Sequence, residues 1–314
     1  FIKKDTYGVG TGRLRKLRVL SAIIVGCCVL FINTAGVAAN GSVNTESEKK
    51  PEPIAEGEVS AALLAEVGTG RVVYEYNSEE KLPAAGLTRL AALVSVCKGF
   101  DEGRLKPGDA VSVSEKAAGI GGTTAFLKAG EQMDAETMLL AAVMINAGDA
   151  THSLALAAAG SESAAVQEIN ACMAGIGVET NFSEICGAGE KLSASELAKI
   201  GAALTASESY RKFGTKFYEK IEHNTGAGAT ELANPNKLVK QYSGCIGVGT
   251  GSSTEAGYCG VFAAKRGNTA FIAVVLGAKT SGTRFDCGSA LLDYGFASFR
   301  SVEINKKEIG RAHV

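Results

Sequence analysis

Two groups of residues in this 314-residue chain have types and spacings that could do chemistry. The first is Gly247-Val248-Gly249-Thr250-Gly251, inside the stretch "CIGVGTGSSTEAGYCGVFAA". A glycine loop cradles a phosphate when a strand precedes it and a helix follows, so that backbone N–H groups and the helix dipole meet at the anion. Cys245-Ile246 can supply the strand, but Tyr258, Val261 and Phe262 sit among small residues and read as a second strand. The pattern therefore predicts the turn side of a hairpin, not a nucleotide site. The second group is the eight cysteines and three histidines. No C-x-x-C pair occurs and His152, His223 and His313 are scattered, so no metal and no cofactor is expected. Cys245 and Cys259 flank the hairpin symmetrically; either a disulfide across it or two buried thiols fits that spacing.

The elements that must position these residues follow from hydrophobic periodicity. Residues 59–77 read as two strands around Gly68-Thr69-Gly70, followed by the long apolar helical stretch "AAGLTRLAALVSVCKGF". Residues 134–160 are Ala-rich and helical with a break around Asn146-Ala147-Gly148. "SESAAVQEINACMAGIGV" and "SASELAKIGAALTAS" are two further helices, the second opening on a Ser193-x-x-Glu196 capping box. Strands are expected at Cys245–Val248, Tyr258–Ala264 and Thr269–Ala278, and a last helix over Phe285–Phe299. Strands at both ends with helices between them predict one sheet assembled from distant segments and covered by helices.

Both ends differ from this core. Arg13-Leu14-Arg15-Lys16 precedes the apolar run Val19–Ile32, and small residues follow at Gly36–Ala39. Basic region, short apolar core and small-residue site describe a secretory signal, the run being shorter than the roughly 20 residues that span a bilayer. Residues 40–57 are polar and contain two prolines, as a flexible tether would. The terminal "EIGRAHV" back-translates into a common sequencing-adapter read and is given no functional weight. A net charge of −1 gives no electrostatic footprint for nucleic acid.

The order of elements and several local phrases resemble the exported serine D-alanyl-D-alanine carboxypeptidases, the low-molecular-mass penicillin-binding proteins. "QEINACMAGIGVETNF" is similar to that family's Met-Asn helix and the Thr-x-Phe segment after it, and "LSASELAKIGAAL" to its next helix. "NPNKLV" (Asn234–Val239) matches an Asn-x-Asn-x-Leu signature before the active-site strand, and "AGYCGVFAAKRGNTAFIAVVLGA" resembles the two strands that follow.

The family's chemistry rests on three motifs. A Ser-x-x-Lys supplies the nucleophile and a lysine that takes its proton, a Ser-x-Asn relays protons and holds substrate, and a Lys-Thr-Gly strand binds the substrate carboxylate. The resemblance places each motif here, altered. "AGLTRL" puts Gly86 at the nucleophile and Arg89 at the lysine. "NAGDA" puts Asn146 at the serine and Gly148 at the asparagine, with Asp149-Ala150 kept. "VGTGS" puts Gly249 at the lysine, with Thr250-Gly251 kept. Glycine has nothing to acylate, arginine is a poor proton acceptor, and loss of such a nucleophile removes of order 10⁶ in turnover.

Substitutes were weighed. Ser95-Val96-Cys97-Lys98 is a literal Ser-x-x-Lys on the same helix, but Ser95 lies about 13 Å along the axis from Gly86 and about 180° around it. Ser209-Tyr210-Arg211-Lys212 and Ser47-Glu48-Lys49-Lys50 lack the surrounding phrase. Thr88 keeps a hydroxyl at a different place in the turn, and His152 is expected to be a surface or packing residue of its helix. For binding, the resemblance implies an oxyanion-hole-like pair from the N–H groups of Gly86 and Ser252, a Thr250 hydroxyl for a carboxylate, close approach at Gly251, and a positive charge from Arg89.

The resemblance thus implies an α/β (α+β) chain with a β-lactamase/transpeptidase-like fold. It partitions the chain into a signal (1–39), a tether (40–57), a carboxypeptidase-like domain (58–300) and a truncated or artefactual tail (301–314). The expected function is that of an exported, catalytically inactive homologue on the cell-wall side of the membrane. Its expected partners are a peptidoglycan stem peptide or a cell-wall enzyme, with membrane association through a C-terminus beyond this sequence. The alternative is an active serine-type carboxypeptidase with a non-standard nucleophile.

Overall fold

The structure, a computed structural model, describes residues 57–226 and 228–299. The expected signal and tail lie outside them, as does nearly all of the expected tether.

The chain opens with β1 (Ala61–Glu66) and β2 (Val72–Tyr76), then a two-residue β3 (Leu82–Pro83) and a 3-10 turn at Ala85–Thr88 that leads into α1 (Arg89–Asp101). β4 (Ala110–Ser112), α2 (Glu115–Ala118) and β5 (Gln132–Asp134) follow, then the helices α3 (Ala135–Ile145), α4 (Gly148–Ala159) and α5 (Glu162–Gly175). After β6 (Lys191–Leu192) come α6 (Ala194–Ala206), α7 (Glu208–Arg211), the hairpin β7 (Tyr218–Glu222) and β8 (Ala229–Ala233), and α8 (Leu238–Gln241). β9 (Cys245–Ser253), β10 (Gly257–Arg266), β11 (Thr269–Ala278) and α9 (Ser281–Ser298) complete the domain.

The main sheet is antiparallel throughout, in the order β2-β1-β11-β10-β9. It joins the two ends of the domain, with Ala61 opposite Leu276 and Leu64 opposite Ala273. Alternation along the strands divides the core into two layers. Leu63, Val261, Ile272 and Val274 face the helical cluster that includes α1, α3, α4 and α6. Leu64, Phe262, Phe271 and Val275 face α9. This is the expected mixed α/β architecture, an antiparallel sheet from both terminal segments with helices over it.

One sequence expectation needs correction, and one left open between two alternatives is decided. The glycines 247–251 do not lie at the turn of a hairpin; they run inside β9, and the turn falls at residues 254–256. The glycine-rich stretch reads as a turn by composition, but pairing with all of β10 overrides it. Cys245 and Cys259 do not face each other: Cys245 pairs with Ala264 and Cys259 with Gly251. The first lies in the α9 layer and the second in the helical layer, so no disulfide joins them and both are free, buried thiols.

Candidate functional site

Three segments meet at the start of α1. The 3-10 turn carries Gly86 and is entered through Ala85 in the left-handed region (φ 49), a strained conformation for a residue with a Cβ. α3 ends at Asn146, whose left-handed backbone (φ 56, ψ 44) reverses the chain so that α4 begins two residues later at Gly148. β9 brings Gly251 onto the turn so closely that a Cβ there would lie 3.0 Å from Gly86 N and 3.3 Å from Leu87 N. Glycine at 251 is what lets strand and turn touch, and it puts the neighbouring Ser252 beside Gly86. Gly86, Arg89, Asn146, Gly148 and Gly251 are thereby gathered in one place.

Hydrogen bonds show what this gathering can do. The Arg89 side chain is 9% exposed. Its Nη1 donates to Thr123 O (2.9 Å) and Asn146 O (3.2 Å), and its Nη2 to Gly121 O (2.5 Å). Asn146 Nδ2 donates to Gly86 O at 2.6 Å, while its Oδ1 is buried without a partner among the described residues. The expectation that Arg89 offers a positive charge to a ligand is therefore revised: its guanidinium is directed at backbone carbonyls. A Cβ at Gly86 would lie 3.6 Å from Asn146 Nδ2 and 4.0 Å from Arg89 Nη1, so a small side chain fits there. The groups nearest to it are both donors, and neither can accept a proton.

The other residues divide between the two faces of β9. A side chain at Gly249 would start among Leu87 and Leu90, 3.6 Å from Leu90 Cδ2. Thr250, 8% exposed, pairs with Gly260 and so points to the opposite face. That face holds Arg284, which lies just before the helix expected from Phe285 and inside the observed α9. Arg284 Cδ lies 3.2 Å from where a Cβ on Gly260 would be. Its Nη1 donates to Gly251 O and Cys259 O, and its Nη2 to Ser281 Oγ, each at 3.2 Å. Nε has no partner among the described residues, and burial holds the guanidinium below the usual arginine range. A buried cation, with no carboxylate paired to it among the described residues, lies against the strand carrying Thr250 and Gly251.

In front of Gly86 opens a cleft of about 530 Å³, walled by Ile120 and Gly121 on one side and Cys186–Lys191 on another. His152 borders it and is 2% exposed, a packing residue as expected, with neither ring nitrogen hydrogen-bonded among the described residues. Burial lowers its pKa, leaving it neutral, although Nε2 lies 3.5 Å from Glu162 Oε1. Glu162 also pairs with Lys116. Burial raises the Cys186 thiol to about 11, so it is a poor nucleophile. The Thr88 hydroxyl donates to Ala85 O and Cys186 O at 3.2 and 3.1 Å.

The alternative serines are occupied elsewhere. Ser95 is 4% exposed and its hydroxyl turns toward Glu168 of α5, away from the cleft. Ser209 Oγ donates to Asp101 at 2.6 Å. Ser47 lies outside the described residues. Asp149, kept from its motif, is structural here: its carboxylate accepts from the N–H groups of Ala125, Leu127 and Ala150 at 2.8–3.0 Å.

An antiparallel sheet joined from both chain ends, with a helical layer whose first helix starts at the cleft, defines the class to which this chain belongs: the D-alanyl-D-alanine carboxypeptidase family, whose family model matches residues 44–280. The chain is 32% identical over 294 residues to the D-alanyl-D-alanine carboxypeptidase DacF of Bacillus subtilis, an alignment covering 92% of this chain and 74% of that protein. It is 26% identical over 299 residues to DacA of Escherichia coli, covering 92% and 72%. Penicillin binding protein 6B from Escherichia coli has the same fold, with a TM-score of 0.72 at 24% identity over 79% of this chain and 80% of that one.

Proposed function

We propose that this chain is a catalytically inactive, exported member of its family, acting in peptidoglycan metabolism as a binding or regulatory protein. The observation that carries this reading is the absence of a side chain at Gly86, in a cleft where the nearest side-chain atoms, Arg89 Nη1 and Asn146 Nδ2, are donors and no basic group among the described residues stands beside them. A covalent mechanism needs a nucleophile and a group to take its proton. Here neither stands at its place. Binding needs less. The N–H groups of Gly86 and Ser252 can polarise a carbonyl oxygen, and on the face of β9 that holds Arg284 the Thr250 hydroxyl can donate to a carboxylate, with that guanidinium adding positive potential. The ligand this favours is a peptide with a free carboxylate, of the stem-peptide class; a wall enzyme presenting such a segment is the other form.

The test is to incubate the purified chain with a fluorescent penicillin and examine it by denaturing gel and intact mass. D-alanine release from an N-acyl-Lys-D-Ala-D-Ala tripeptide is followed in parallel, with calorimetric titration of the same tripeptide. The expected result is no adduct, no release and measurable non-covalent binding. A stoichiometric adduct or sustained release would overturn the inactive reading, and the labelled peptide would identify the nucleophile.

A further inference from the structure

Gly148 lies at the first position of α4 with an ordinary helical backbone, so no left-handed conformation explains it. Space is the reason for it. A Cβ at 148 would lie 2.7 Å from Ile120 Cγ2, 3.0 Å from Arg89 Cζ and 3.2 Å from Arg89 Nε. A Cβ at Gly122, itself in the left-handed region (φ 81), would lie 2.9 Å from Arg89 Nη2. The guanidinium is thus packed against two residues without side chains. Its donors reach Gly121 O and Thr123 O on the loop and Asn146 O at the α3–α4 junction, and Gly148 N donates to Thr123 O at 2.9 Å.

We infer that Arg89 and Gly148 are a matched pair, in which the guanidinium fills the volume a side chain at 148 would need and uses it to fasten the 121–123 loop as one wall of the cleft. Arg89 is on this account a positioning residue. The altered residues of two different motifs depend on one another: a side chain at 148 needs the Arg89 guanidinium to give way, together with Ile120, whose Cγ2 would lie 2.7 Å from it. This holds whether or not the cleft binds a wall peptide. It makes the cleft pre-organised, a property that favours binding because less order has to be imposed on association.

Four versions of the full chain test it: the natural protein, Gly148→Asn, Arg89→Lys, and the two changes together. Contacting residues that share a volume give non-additive effects. Gly148→Asn is expected to lower Tm by about 5 °C or more in the Arg89 background and by less than about 2 °C in the Arg89→Lys background. Equal losses in both backgrounds would overturn the pairing. If Gly148→Asn gives no folded protein alone, recovery of a cooperative transition in the double variant supports the inference, and failure of both moves the comparison to Gly148→Ala, judged by the same criterion. Hydrogen exchange supplies a readout beyond stability: amides of 121–124 are expected to exchange about tenfold faster in Arg89→Lys, because charge-assisted bonds hold that loop. Unchanged exchange there would show that the guanidinium does not fasten the wall.

Discussion

At position 86 the side chain is missing but its space is not. A serine introduced there would start 3.6 Å from Asn146 Nδ2, an ordinary contact distance. Gly86→Ser is therefore expected to fold with Tm within about 2 °C of the natural chain, since surface-lined substitutions without strain change stability little. It is also expected to remain unlabelled by fluorescent penicillin, because the residues facing it, a guanidinium and an amide N–H, cannot take the hydroxyl proton. Labelling of that single variant would show that a base has been overlooked, with His152 the first to examine. The motif positions themselves were legible in the sequence through the phrases around them. What could not be read was the use made of Arg89, because a positive residue beside a cleft and one buried against three carbonyls look alike on paper. Arg284 was missed for a related reason: its proximity to Thr250 arises only from β9–β10 pairing and the packing of α9.

Among the elements, α6 shows local sequence at its most informative. The Ser193-x-x-Glu196 box forms as expected, with Glu196 N donating to Ser193 Oγ and Ser193 N to Glu196 Oε2, both at 3.1 Å. The sequence does not reveal that the same buried carboxylate accepts from Glu179 N and Thr180 N at 3.1 and 3.0 Å and pairs with Lys81, tying two distant segments to one helix start. Burial opposes ionisation of Glu196, but the Lys81 ammonium and the backbone donors outweigh it and hold its pKa below the usual glutamate range. A folded-state pKa lowered in this way adds stability above the unfolded value, about 4.3, and that stability is lost as the pH falls through the folded one. Glu196→Gln is expected to cost about 1–3 kcal/mol near neutral pH and to flatten the decline in urea midpoint below about pH 4.3. An unchanged acid limb would contradict this. Element boundaries were less legible: β9 runs through its glycines to Ser253, and α9 starts at Ser281, because tertiary pairing and the Thr280 cap extend both.

For the molecule as a whole, the sheet is the shared wall of two cores. Phe262 lies fully buried on the α9 side with its ring 5.7 Å from that of Phe285, and Leu93 lies fully buried in the helical layer. Phe262→Ala and Leu93→Ala, each expected to cost about 2–5 kcal/mol, should lower the same single transition in differential scanning calorimetry. Resolution into two transitions, each sensitive to one variant, would mean that the layers melt independently. The overall architecture was legible because strands at both ends and helices between them leave few ways to hide their apolar faces.

The pairing of β1 with β11 also sets the order in which the protein can come into being. The first hairpin emerges early from the ribosome, yet its permanent neighbour β11 is the last strand among the described residues, so β1 waits almost the whole length of the domain with an unpaired edge. A nascent chain stopped before Thr269 has β2 but not β11 to pair with β1, and it lacks α9 to cover Leu64. Completion of the sheet thus waits for β11, and an unclosed domain is the form that any machinery handling the growing polypeptide meets until that strand is made.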